Sequence, residues 1–174
     1  VHLLLPIFDF VGQLDIYSPD DLAKARLAVI KHTNMADYMA RIYQKVHGED
    51  ASTAEYKELQ TKVVAEIDRF QEVCAPLLEL IDGPDADTDG EAGALFEAKR
   101  WNMEYLSANH GITEDMVDDL YAYAKFLWEC GSYEPCLRYL KYFRELAPTA
   151  EMASRALWGK FAAEILCTNW EAAN

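Results

Sequence analysis

Three observations predict an all-α protein. Helix-start and helix-stop signals recur along nearly the whole chain, apolar residues return every three or four positions between them, and no stretch alternates for long at the strand period. The predicted architecture is a stack of helical hairpins, a tetratricopeptide/HEAT-like right-handed solenoid, with one long helix at about 52–81. The 174 residues suit a single helical-repeat domain over 1–174, and a core of that size holds without a disulfide or a structural metal.

The elements follow in order. Residues 2–14 form an apolar segment interrupted by Pro6. Ser18 then stands before Pro19 and the acids Asp20 and Asp21, the pattern of a capped helix start, and this helix runs to about Lys31. Asn34 is placed to cap the next, in which Met35, Tyr38, Met39, Ile42, Tyr43 and Val46 share a face until Gly48 stops it. A Ser52/Glu55 capping box opens the long helix. Tyr56, Val63, Phe70 and Leu77 recur along it every seven residues, with Ile67, Cys74 and Ile81 as companions. Pro76 lacks the N–H its place requires and predicts a kink in the last turns.

After a break at Asp82 to Gly90, helices are predicted at about 92–109, 114–130, 133–147 and 150–167, with turns at Gly111, Gly131 and Pro148. Ala124, Leu127, Gly131, Tyr133, Cys136, Leu140, Phe143 and Pro148 fall at the spacings of a tetratricopeptide-like hairpin. A shift of 37 residues pairs Leu120 with Leu157, Tyr121 with Trp158 and Tyr133 with Trp170. That repeat breaks off inside a helix begun at Asn169.

Charge narrows the function classes. The net charge is −14, and residues 125–174 hold six acids and six bases, so the acidic excess lies wholly in the first two thirds. Such a surface repels phosphate backbones and anionic lipids, so neither direct nucleic-acid binding nor membrane attachment is expected. No apolar run of transmembrane length and no signal-peptide pattern is visible, and Val1 in place of Met suggests a piece of a longer protein. Cys74, Cys130, Cys136 and Cys167 form no C-x-x-C pair, which predicts reduced thiols.

The search for chemistry yields little. Asp85-Ala86-Asp87-Thr88-Asp89-Gly90 opens like an EF-hand loop, but its twelfth place, which needs a bidentate Glu, holds Phe96, and Glu97 lies one residue too far on. A solvated acidic loop is the expectation, with a calcium-binding helical domain as the lesser alternative. No metallohydrolase, nucleotide-loop or nucleophile-elbow motif occurs. Glu114, Asp115, Asp118 and Asp119 crowd the first turns of a helix, where its dipole favours acids without any catalytic role. No catalytic residue, metal ligand or cofactor is therefore predicted.

Aromatic density is the positive signal. Eight of the chain's 21 aromatic residues lie between Tyr121 and Phe143. In the 133–147 helix, Tyr133, Cys136, Leu140 and Phe143 line one face while Tyr139, Tyr142 and Leu146 line the other, so this helix is expected to be sandwiched. Phe126 points roughly 120° away from the Leu120, Ala124 and Leu127 face, and Tyr139 and Tyr142 turn away from their hairpin partner. Phe126, Tyr139 and Tyr142 are the candidate partner-binding residues. Tyr139 and Tyr142 fit a junction between repeats better, and Phe126 an anchor for a partner.

Thr33-Asn34-Met35 with Asp37, Leu120-Tyr121-Ala122-Tyr123-Ala124-Lys125-Phe126 followed by Glu129-Cys130-Gly131 and Tyr133, and Leu157-Trp158-Gly159-Lys160 with Glu164-Ile165-Leu166 and Asn169-Trp170 carry a family resemblance. In order and spacing they resemble the amino-terminal region of the e subunit of eukaryotic translation initiation factor 3, over the whole chain. The resemblance implies a non-enzymatic, cytoplasmic scaffold that mediates subunit assembly and small-ribosomal-subunit recruitment in translation initiation. The implied partners are the d, c and l subunits of the same factor, with the small ribosomal subunit reached indirectly. Members of that family also carry a short helix ahead of the position of Val1, and further repeats and a PCI domain beyond that of Asn174. The acidic loop Asp82 to Glu91 departs from the animal members. A helical-repeat component of a related PCI complex, the proteasome lid or the COP9 signalosome, is the alternative.

Overall fold

The structure, a computed structural model, describes residues 1–49, 51–83 and 90–171. Among them the regular elements are a 3-10 turn, His2–Leu4, and ten α-helices, several packed in pairs, with no strand. The chain divides into two compact units, Val1–Glu66 with Glu129–Gly131, and Ile67–Trp128 with Ser132–Asn174.

The first unit holds α1 (Leu5–Gln13), α2 (Pro19–Ile30), α3 (Ala36–His47) and the start of α4 (Ala54–Val73). Pro6 interrupts nothing, because it lies in the first turn of α1, where its missing N–H would have no intrahelical partner. Ser18 caps α2 as predicted, its Oγ accepting the Asp21 N–H at 3.1 Å. The Arg26 guanidinium donates to Asp9 Oδ1 at 2.6 Å and to the Tyr38 hydroxyl at 2.7 Å, joining α1, α2 and α3 around the buried Ile30 and Met39.

Asn34 does not cap α3. Met35 occupies that place without a side-chain bond, while the Asn34 backbone N–H donates to the Glu129 carbonyl at 3.0 Å and its amide to Glu129 Oε2 at 3.2 Å. A side chain turned toward a distant carboxylate is not free to bond the backbone of its own helix. Gly48 ends α3 with φ +99°, a conformation that L side chains rarely adopt.

The predicted long helix at 52–81 is two helices, α4 and α5 (Ala75–Ile81). Cys74 takes φ −92° and ψ 1° between them, and Pro76 sits in the first turn of α5. The missing proline N–H therefore produces a break rather than a bend. α4 opens at Ala54, with the Lys57 N–H bonded to the Thr53 carbonyl, one residue later than a Ser52 cap implies. The heptad seam deepens along its length: Tyr56 and Val63 are half-buried, whereas Phe70, Cys74, Leu77 and Ile81 lie in the core.

The second unit continues with α6 (Glu91–Glu97), α7 (Met103–His110), α8 (Glu114–Cys130) up to Trp128, α9 (Tyr133–Leu146) and α10 (Ala150–Leu166), the last two residues of α8 belonging to the first unit. One helix at 92–109 was the expectation, and the structure corrects it to α6 and α7. The chain turns out at Lys99, φ +57°, the Arg100 and Trp101 N–H groups both reach the Leu95 carbonyl, and Trp101 is buried. Asn102 restarts the helix by accepting the Tyr105 N–H at 2.9 Å. The bounds of α8, α9 and α10 match the sequence reading, with Thr149 capping α10 through the Met152 N–H. The EF-hand-like stretch Asp85–Asp89 lies outside the described residues, as do Ala172–Asn174.

Candidate partner surface

α9 is the centre of the second unit. Cys136, Tyr139, Leu140, Tyr142, Phe143 and Leu146 are all buried, so both of its faces are covered as the two apolar stripes require. Burial raises the Cys136 thiol to about 12, with Cys167 adding to the shift, and raises Cys74 to about 11 with a smaller contribution from Asp119. All four cysteines are free thiols. Reactive cysteines need the opposite shift, toward the thiolate.

The three predicted partner residues separate into two kinds. Tyr142 is fully buried: its ring meets Trp101 edge-on at 5.0 Å, and its carbonyl accepts the Trp101 indole N–H at 3.0 Å. Tyr139 is 7% exposed, stacks on Tyr123 at 5.4 Å, and donates its hydroxyl to Asp82 Oδ2 at 3.0 Å. Tyr123 belongs to α8, the hairpin partner, so Tyr139 is not turned away from it as its position on the helical wheel implied. The cause is the reach of the ring, which crosses from the edge of one helix to the next. Phe126 is half-buried against the core, with its ring 5.8 Å from Phe70 of α4. The structure thus brings Tyr139 and Tyr142 into the core on separate neighbours and leaves Phe126 at its edge.

Asp82 also accepts from Arg138 Nη1 at 3.2 Å, so α9 holds the end of α5 by two hydrogen bonds where the acidic loop leaves it. The loop's far end is held by the Gly90 N–H on the Ile81 carbonyl at 2.8 Å. Glu114, Asp115 and Asp118 are exposed at the start of α8, in keeping with solvated first-turn acids. Among the described residues no group of His, Cys, Asp or Glu could hold a metal ion, and no helix is long and apolar enough to cross a membrane.

One feature of this unit escaped the sequence reading. α8, α9 and α10 enclose an open groove of about 240 Å³. Tyr121 and Trp128 form one wall, Cys136 and Leu140 the floor, and Gly159 the facing side, with Lys125 and Arg155 also lining it. Elsewhere on α10, Leu157, Trp158 and Phe161 expose 50%, 71% and 40% of their surface. The available signal was Gly159, a glycine inside a helix. Such a residue costs about 1 kcal/mol relative to Ala. A Cβ there would stand 3.1 Å from Leu140 Cδ1.

Fold and surface together define a helical protein whose second unit has an aromatic-rich core and an apolar groove between its last three helices. Residues 1–127 match the family model described as "eIF3 subunit 6 N terminal domain". Over 172 residues, 99% of the chain, it is 34% identical to the E subunit of eukaryotic translation initiation factor 3 of Arabidopsis thaliana and equally to the protein of that name in Aspergillus oryzae. The protein of that name in Aspergillus terreus is 33% identical over the same length. The chain belongs to the family of eIF3 E subunits, in its N-terminal domain. It spans about 38% of the length of the curated Arabidopsis relative and 37% of the Aspergillus ones.

Proposed function

We propose that this chain is a non-catalytic scaffold domain of eukaryotic translation initiation factor 3, whose stacked helical hairpins continue as a solenoid and join other subunits of the factor. The observation that carries the reading is identity near one third, across 99% of the chain, to proteins named as the E subunit of that factor. An apolar core held by ring stacking and two-point hydrogen bonds suits a rigid platform, since a preorganised surface loses little freedom on binding. In this reading the chain acts in the cytoplasm, contacts the d, c and l subunits, and serves recruitment of the small ribosomal subunit indirectly. Phe126 is its first partner contact, while Tyr139 and Tyr142 act by holding α9 in place.

The test is co-purification of the tagged 174-residue chain from a eukaryotic lysate. Recovery of initiation-factor subunits is the expected result. Recovery of proteasome-lid or signalosome subunits in their place overturns the reading.

A further inference from the structure

The groove between α8, α9 and α10 has walls that are already fixed. Tyr121 stacks on Phe143 at 4.8 Å and Trp128 meets Tyr133 edge-on at 5.2 Å, so neither ring has much freedom left to lose when the groove is filled. Its floor is apolar, and Gly159 leaves one side without a side chain. About 240 Å³ is small for a cofactor, whose pockets begin at roughly 300 Å³, and suits one or two apolar side chains of a bound segment.

Charge selects the segment. On a chain of net charge −14, the two charged residues lining the groove, Lys125 and Arg155, are both basic and both exposed. Arg155 is paired with Glu151 one turn away at 2.7 Å, but both side chains are largely exposed, so an incoming carboxylate displaces a weak pair. Trp158, three residues beyond Arg155 and so its neighbour on the helix surface, exposes 71% of its area. We propose that this groove binds a short acidic–apolar segment of a partner protein, seating one or two Leu or Phe side chains between Trp128 and Gly159 while its carboxylates meet Lys125 and Arg155. This goes beyond the scaffold reading, because it names the chemistry of a bound segment and holds whichever complex supplies it.

The test uses the 174-residue chain and two fluorescein-labelled peptides, one of Leu, Phe, Asp and Glu, the other with every acid replaced by Lys or Arg. Fluorescence anisotropy is expected to show the acidic peptide binding at least about tenfold more tightly, with the difference shrinking as salt is raised. The double substitution Lys125→Glu with Arg155→Glu is expected to weaken the acidic peptide by about tenfold or more while thermal melts stay unchanged, both side chains being on the surface. Equal binding of the two peptides, undiminished binding by the charge-reversed chain, or no saturation by about 1 mM, the weak end of specific recognition, overturns the proposal.

Discussion

The indole N–H of Trp101 donates to the main-chain carbonyl of Tyr142 at 3.0 Å, across 41 positions of sequence. The bond fastens the α6–α7 connector to the middle of α9, and the two rings meet edge-on at 5.0 Å. Replacing the indole by a phenyl ring keeps most of the apolar contact and removes the donor. Trp101→Phe should therefore cost about 1 to 2 kcal/mol and Trp101→Ala about 3 to 5, from lost area and a cavity. Denaturant melts of both variants check the order; equal costs would mean that the hydrogen bond contributes nothing.

Leu140 lies in the α9 core, 4% exposed, and its Cδ1 touches the position of Gly159 on α10. Leu140→Ala should destabilise the chain by about 2 to 5 kcal/mol. A loss under about 0.5 kcal/mol, the size of a surface change, would be incompatible with this packing.

Gly90 is required for close approach rather than for its dihedral angles. A Cβ built there stands 2.5 Å from the Leu80 carbonyl oxygen and 2.8 Å from that of Asp82, both main-chain atoms with little room to move. Gly90→Ala should cost about 1 to 3 kcal/mol, as overpacking does, and should weaken the turn that returns the acidic loop to α6. Hydrogen exchange at the Gly90 amide, bonded to Ile81, is the direct readout.

Phe126→Ala tests the partner surface by a paired measurement, thermal melting and a pull-down of the d subunit of the initiation factor. The half-buried ring on Phe70 sets the stability cost at about 1 to 2 kcal/mol, while a hot-spot contact would cost about 2 kcal/mol or more in binding. Loss of stability with normal binding by the folded fraction would assign Phe126 to the core alone.

The buried thiols make stability fall at high pH. Burial lifts Cys136 to about 12 and Cys74 to about 11 from an ordinary 9.0. The stabilisation is therefore complete below pH 9 and is lost as the pH rises from 9 through those values, because the unfolded chain gives up its protons first. Denaturant midpoints should be level from about pH 7 to 8.5 and decline above about 9. At pH 8 Cys136 should react with iodoacetamide far more slowly than the half-buried Cys167, as read by mass spectrometry.

The sequence by itself determined the helical class and most helix ends. Ser18, Gly48 and Gly131 act through their own hydroxyl and dihedral angles, which are local and therefore legible in a few residues. The two apolar stripes of α9 likewise announced its double burial. What tertiary structure decided lies where a distant partner outweighs local preference. Asn34 is a good cap residue, yet it is claimed by Glu129, 95 positions away. Residues 98–102 carry no strong helix breaker, yet the helix opens there because burying Trp101 and satisfying its N–H on Tyr142 outweigh two continuous helical turns. The groove belongs to neither α8, α9 nor α10 alone. It arises from the approach of three helices at Gly159, so no single window of sequence contains it.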